Sequence, residues 1–242
     1  MHAFSPIAIA IVTVFVAATA AANTATQPVP RDEAWVHRHE GFVAEARRGG
    51  IDVVFLGDSL TDLWRREGRA AWEKHFVPLR AANFGIDGDR TQHLLWRLQH
   101  GVVDGPAPKV VVLLIGTNNA GNERNSDVPR NTTTEAIAGV TLVVQTLRAK
   151  LPDTTILLLG LLPRGERDSP IRTQVGEINR ALSGLDDGRR IRFLDIGPVF
   201  LSPDGSLSRE IMPDLLHMSE AGYAVFAAAL RDPLAGLLAA NR

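Results

Sequence analysis

The chain has 242 residues, a formal net charge of −1 at pH 7 and a hydrophobic content of 45%. These values are typical of one large globular domain, and they provide no basic patch of the kind that nucleic acid binding requires. The sequence contains no cysteine, which excludes thiol catalysis, disulfides and thiolate metal sites.

The first thirty residues differ in composition from the rest of the chain. Residues 7–22 are almost all apolar or small, which predicts a signal peptide over residues 1–22 with cleavage near Ala22 and a periplasmic or secreted product. Neither Lys nor Arg precedes this stretch, so an uncleaved anchor is the alternative. Residues 23–31 are rich in Thr, Pro and Gln and are expected to form a flexible spacer, followed by a folded domain over residues 32–242. The apolar stretch is short for a membrane span, which needs about 20 apolar residues, and no stable span is expected after cleavage of the leader.

Apolar spacing and the positions of Gly and Pro predict alternating helices and strands in this domain. Helices are predicted at 33–48, in part of 60–74, from 89 or 91 to 100, and at 132–150, 171–182 and 219–240, the last with a break at Pro233. Strands are predicted at 51–57, 79–84, 109–115, 155–159 and 191–194. Five such alternations predict an α/β domain, in which a parallel five-stranded sheet has helices on both faces.

Three predicted strands end in polar loops that contain glycine. The loops are Gly57-Asp58-Ser59, Asn83-Phe84-Gly85 and Gly116-Thr117-Asn118. These loops can converge, because the carboxyl ends of parallel strands lie along one edge of a sheet. Ser59 is therefore a candidate nucleophile, and Asp58 is expected to brace its turn through backbone amides. The alternative for Ser59 is that it only caps the following helix.

A serine nucleophile needs a base to accept its proton and a third group to orient that base. Asp214 and His217 are three residues apart, so the carboxylate can meet one ring nitrogen across a single turn while the other faces the serine. The reaction also forms an oxyanion, which needs preorganised hydrogen-bond donors. The backbone N–H groups of Ser59 and Gly85 and the side-chain amide of Asn118 are the candidates.

These sequence blocks resemble those of the SGNH (GDSL-type) hydrolases. The blocks are Gly57-Asp58-Ser59-Leu60, Gly85, Gly116-Thr117-Asn118 and Asp214-x-x-His217. A narrower resemblance, over about residues 50–230, is to the catalytic subunits of the intracellular platelet-activating-factor acetylhydrolases, and it is carried by residues 83–89, 95–98, 116–119, 160–165, 216–218 and 222–223. The resemblance implies a flavodoxin-like, three-layer α/β/α fold. It also implies a triad of Ser59, Asp214 and His217, and an oxyanion hole of Gly85, Asn118 and the Ser59 amide.

The narrower resemblance implies a preference for short acyl groups, above all acetyl. In that branch the residue after the serine and the residue before the histidine crowd the acyl pocket, which points to Leu60 and Leu216 here. Neither a metal nor an organic cofactor is implied. The related subunits form dimers, so a homodimer is one expected state.

Together these features predict an exported serine esterase that hydrolyses acetyl esters of carbohydrates or lipids. The predicted export, rather than any residue, favours carbohydrate esters over an ether phospholipid as the substrate. One alternative is a lysophospholipase or thioesterase that acts on longer acyl chains. That branch usually has Asp and Pro where Asn119 and Met218 stand in this chain. The second alternative is a non-catalytic module that holds a glycan or lipid.

Overall fold

The computed structural model describes residues 23–123 and 130–240, so the predicted leader at residues 1–22 lies outside the described residues. The strands are β1 (Val53–Gly57), β2 (Ala81–Gly85), β3 (Val110–Leu114), β4 (Thr155–Leu159) and β5 (Ile191–Leu194). The helices are α1 (Glu33–Arg48), α2 (Ser59–Asp62), α3 (Arg69–His75), α4 (Thr91–Gln99), α5 (Thr133–Lys150), α6 (Pro170–Leu182) and α7 (Glu220–Ala240). The predicted α/β fold with a parallel five-stranded sheet is confirmed.

The order of the strands, β2-β1-β3-β4-β5, determines where the site can form. Strand β1 lies between β2 and β3, and Gly57 at its end is in register with Gly85 and Leu114. Every residue of β1, β3 and β4 is buried. These strands are apolar because a parallel sheet is covered on both faces. The loops that follow β1, β2 and β3 therefore begin side by side at one edge of the sheet.

The prediction of a helix break at Pro233 is wrong, because α7 continues through this residue to Ala240. Proline removes one backbone donor and disturbs the preceding turn, but tertiary packing can outweigh that cost. Leu230 and Leu234, on either side of it, are fully buried and hold both parts of the helix against the core. Helix α7 is long and apolar enough to cross a membrane by length and composition alone. Its buried residues, Tyr223 among them, recur every three or four positions, so one face packs against the domain while the other is largely exposed.

Residues 23–31, expected to be a flexible spacer, are instead packed against the domain, and we call them the N-terminal strap. Ala25 is fully buried, and its carbonyl accepts a hydrogen bond of 2.7 Å from Thr91 Oγ1. Asn131 Nδ2 donates to Thr24 Oγ1 at 3.0 Å. The strap thus supplies one backbone carbonyl and one hydroxyl as acceptors for polar groups of the domain.

The end of β1 leaves no space for a side chain at Gly57. A Cβ atom at Gly57 would lie 2.2 Å from Thr61 Oγ1 and 2.3 Å from the carbonyl oxygen of Leu114. Because a backbone carbonyl within the sheet cannot move aside, Gly57→Ala should lower the free energy of unfolding by about 1–3 kcal/mol or more. Urea denaturation measures this loss.

Gly176→Ala is the matched control for this substitution. Gly176 is exposed in the middle of α6, and nothing lies within 4 Å of the added Cβ. Alanine should therefore raise stability by about 0.5–1 kcal/mol, through a smaller loss of backbone entropy on folding. Equal effects of the two substitutions would contradict the close packing described at the end of β1.

Candidate active site

Ser59, His217 and Asp214 form one hydrogen-bonded chain at the carboxyl edge of the sheet. His217 Nε2 lies 3.1 Å from Ser59 Oγ, and His217 Nδ1 lies 2.7 Å from Asp214 Oδ2. An ionised carboxylate can only accept, so Nδ1 carries the hydrogen and Nε2 is left to accept the serine proton. The structure thus brings together the three residues predicted as a triad.

Asp214 also holds the backbone of the segment that carries the histidine. Its Oδ1 accepts hydrogen bonds from the backbone N–H groups of His217 (2.7 Å) and Leu216 (3.0 Å). Partial burial raises the pKa of Asp214, but the hydrogen bonds from the His217 ring and backbone outweigh it and hold that pKa below its ordinary value. The carboxylate is therefore charged at neutral pH and can stabilise a protonated imidazole.

Ser59 is the first residue of α2 and is almost fully buried. The N-cap of this helix is Asp58, whose Oδ1 accepts from the Leu60 N–H at 3.0 Å. The predicted bracing of the turn by Asp58 is therefore present, and Ser59 does not serve as the helix cap. Asp58 itself is fully buried, and its Oδ2 has no hydrogen-bond partner in the described part of the chain. Burial raises the pKa of Asp58 to about 7.

The prediction that the Gly85 N–H is an oxyanion donor needs correction. This N–H donates to Asn83 Oδ1 at 2.9 Å, while Asn83 Nδ2 donates to the carbonyl of Thr61 at 2.8 Å. The Gly85 amide is thus already satisfied. Glycine is required there for a different reason, since a Cβ would lie 2.4 Å from the backbone nitrogen of Asp62.

The other two predicted donors each have a hydrogen that is free, among the described residues, to bind an oxyanion. The Ser59 N–H makes no hydrogen bond with residues 23–123 or 130–240. Asn118 Nδ2 donates to the carbonyl of Asp89 at 3.0 Å, which leaves its second hydrogen for another acceptor.

Sequence reasoning missed Gly88, which lies in the loop after β2, three residues beyond Gly85. Its φ of +75° is one that glycine adopts without strain, and its N–H has no partner among the described residues. The adjacent Asp87 lines the same cavity as Ser59. The sequence shows two glycines close together here, and the contact of Gly85 with Asn83 is what distinguishes them.

A cavity of about 560 Å³ opens on Ser59 and His217. Its wall includes apolar side chains and charged ones, namely Leu63, Met218, Arg66, Glu67, Asp87 and Glu220. Neither Leu60 nor Leu216 lines this cavity, and their role in an acyl pocket stays a prediction. Leu60 is only 1% exposed, because the chain turns into α2 directly after the serine and directs this side chain into the core. Leu216 is half-buried beside the histidine.

A parallel α/β sheet with a Ser–His–Asp chain at its carboxyl edge is typical of serine hydrolases. The GDSL-like lipase/acylhydrolase family model matches residues 55–225 of this chain. The human platelet-activating factor acetylhydrolase IB subunit alpha1 is 38% identical over 220 residues, 90% of each chain. The rat alpha2 subunit is 36% identical over 220 residues, 90% of this chain and 91% of the rat protein.

Among solved structures, an acetylxylan esterase from Geobacillus stearothermophilus shares the fold with a TM-score of 0.59 and 21% identity, over 75% of this chain and 93% of that one. The chain belongs to the GDSL-like lipase/acylhydrolase family and is a serine ester hydrolase.

The buried Asp58 predicts a distinctive dependence of stability on pH. Its pKa is raised from 3.8 to about 7 in the folded protein. The folded state therefore keeps a proton that the unfolded state has lost, so this contribution to stability is fully present below about pH 3.8 and is lost as pH rises through about 7. Asp58→Asn mimics the protonated acid and does not titrate.

The free energy of unfolding of the wild type, measured relative to Asp58→Asn, should therefore fall as pH rises from 5 to 8. Urea denaturation of both proteins at several pH values measures this difference, and other titrating groups cancel in the comparison. A difference that stays constant from pH 5 to 8 would show that Asp58 does not change its charge in this range.

Proposed function

We propose that this protein is an exported serine esterase that removes short acyl groups, above all acetyl, from carbohydrate esters. The observation that carries the proposal is the Ser59–His217–Asp214 hydrogen-bonded chain at a cavity open to substrate. Export rests on the predicted leader, and the carbohydrate substrate rests on the compartment to which that leader points.

In the proposed mechanism, Ser59 Oγ attacks the ester carbonyl while His217 Nε2 takes its proton. The Asp214 carboxylate holds the imidazole in position and stabilises its positive charge. His217 then gives the proton to the leaving alcohol, so that the ester bond breaks and the acyl group remains on Ser59. Water, deprotonated by His217, attacks this acyl-enzyme, and the acid leaves as Ser59 regains its proton.

Each tetrahedral intermediate places a negative charge on the former carbonyl oxygen. We assign the oxyanion hole to the Ser59 N–H, the Asn118 side-chain amide and the Gly88 N–H. Gly88 replaces Gly85 in this set because its N–H is free of other contacts within the described ranges, whereas that of Gly85 is bound to Asn83.

Two features support a small acyl group on a polar alcohol. Charged side chains, among them Arg66, Glu67 and Glu220, occupy the cavity wall, and they suit a hydroxyl-rich leaving group better than a long alkyl chain. In addition, one similar protein is a platelet-activating factor acetylhydrolase subunit and another is an acetylxylan esterase, and both names denote the removal of acetyl groups. The sequence identity to the first keeps an acetylated ether phospholipid as the second candidate substrate.

Substitutions test the assigned roles directly. Ser59→Ala should abolish ester hydrolysis. Asp214→Asn should lower kcat about 10⁴-fold, because the amide can donate to Nδ1 and favour the tautomer whose Nε2 already carries a hydrogen. Asn118→Ala should lower kcat by about 10²–10³-fold through the loss of one oxyanion donor. Initial rates on p-nitrophenyl acetate measure these effects. Ser183→Ala, an exposed serine outside the cavity, is the control and should match the wild type. Full activity in Ser59→Ala would refute the proposed nucleophile.

Acyl preference is tested with p-nitrophenyl esters from acetate to decanoate. We expect kcat/KM to be highest on acetate and to fall steeply by butyrate. Acetate release from acetylated xylan and from an acetylated ether phospholipid, with Ser59→Ala as the blank, then separates the two candidate substrates. A maximum at octanoate or longer would contradict the short-acyl proposal and favour a lysophospholipase or thioesterase.

A further inference from the structure

Arg31, the last residue of the N-terminal strap, lies against the loop that contains Gly88. Its Nη1 donates to the carbonyl of Asp87 at 2.6 Å and lies 3.4 Å from Asp89 Oδ1. The guanidinium also covers Gly88 between them, since a Cβ there would lie 3.2 Å from Arg31 Nη1. One side chain from the strap thus contacts Asp87 and Asp89, the residues on both sides of Gly88.

The opposite side of this loop is held inside the domain. The Asp89 carboxylate is fully buried and accepts hydrogen bonds from Trp35 Nε1 (2.7 Å) and Arg97 Nη1 (3.0 Å). The backbone carbonyl of Asp89 is the acceptor for Asn118 Nδ2. Two of the three assigned oxyanion donors, the Gly88 N–H and the Asn118 amide, therefore depend on where residues 87–89 lie.

We propose that Arg31 is a positioning residue for the oxyanion hole. It clamps residues 87–89 from the solvent side, so that the Gly88 N–H and, through the Asp89 carbonyl, the Asn118 amide keep their orientation toward the developing charge. The proposal rests on the esterase function proposed above. It assigns to the N-terminal strap a role in catalysis, beyond the burial of Ala25.

This role predicts an effect on kcat rather than on KM. The oxyanion exists only in the transition state and the tetrahedral intermediates, so loosely held donors weaken their stabilisation and not substrate binding. Arg31 is not part of the cavity wall, and so it makes no direct contact with a substrate there. Its side chain is 33% exposed, which makes its replacement tolerable for the core.

The test compares Arg31→Gln, Arg31→Lys and the wild type on p-nitrophenyl acetate. Arg31→Gln should lower kcat between about 10- and 100-fold with KM unchanged, since small misplacements of catalytic groups have effects of this size. Arg31→Lys keeps a donor for the Asp87 carbonyl and should recover part of the loss. Arg231→Gln, which removes an exposed arginine paired with Asp232 on α7, is the matched control and should match the wild type.

A double substitution separates positioning from a general loss of structure. If Arg31 acts through Asn118 and Gly88, Arg31→Gln should cost clearly less kcat in an Asn118→Ala background than in the wild type. Fully additive losses, a raised KM with normal kcat, or a wild-type kcat in Arg31→Gln would each overturn the proposal. Circular dichroism shows whether Arg31→Gln folds. If it does not, Arg31→Lys, alone and combined with Asn118→Ala, is judged by the same criteria.

The failure of this inference is distinguishable from the failure of the proposed function. Wild-type activity that Ser59→Ala abolishes, together with an unaffected Arg31→Gln, would refute only the role of Arg31. Wild type without ester hydrolysis, or an active Ser59→Ala, would refute the proposed function itself.

Discussion

Strand β1 ends at a crowded point, and the position of the nucleophile depends on it. Gly57 has no space for a Cβ between Thr61 and the carbonyl of Leu114, and Gly85 on the next strand has none beside Asp62. These two glycines are in register, so α2 can begin directly above the strand ends. Ser59, at the first position of α2, is thereby held at the edge of the sheet, where the other polar loops meet it.

Three carboxylates around this edge show how environment sets charge. Asp214 is partly exposed and paired with His217, and its pKa is below its ordinary value. Asp58 is buried with one oxygen unpartnered among the described residues, and burial raises its pKa to about 7. Asp89 is buried beside Arg97; burial raises its pKa, whereas the guanidinium opposes that rise. The same residue type thus serves as a charged orienting group, a turn brace and the anchor of a loop.

Much of this arrangement could be predicted from the sequence. Strand β4 has the predicted bounds, because an apolar run stopped by turn residues specifies a buried strand well. Strand β5 also has the predicted bounds, although none of its residues is fully buried. The pairing of Asp214 with His217 followed from their spacing, which is a local property of the chain.

The errors lie where a tertiary contact decides the outcome. The Asn83 side chain takes the Gly85 N–H, a competition that no spacing rule reveals. Packing of Leu230 and Leu234 on both sides carries α7 through Pro233. Residues 23–31 have the composition of a linker, yet partners on α4 and just before α5 bind them to the domain.

The central claim is that Ser59 is the nucleophile of a serine ester hydrolase, activated by His217 and Asp214. Labelling of the intact protein with a fluorophosphonate, followed by peptide mass spectrometry, tests this claim most directly, since the reagent phosphonylates an activated serine. The account predicts one adduct on Ser59, formed at a far lower rate in Asp214→Asn, with loss of esterase activity in proportion to labelling. An adduct on another residue, or ester hydrolysis that persists after full labelling of Ser59, would contradict it.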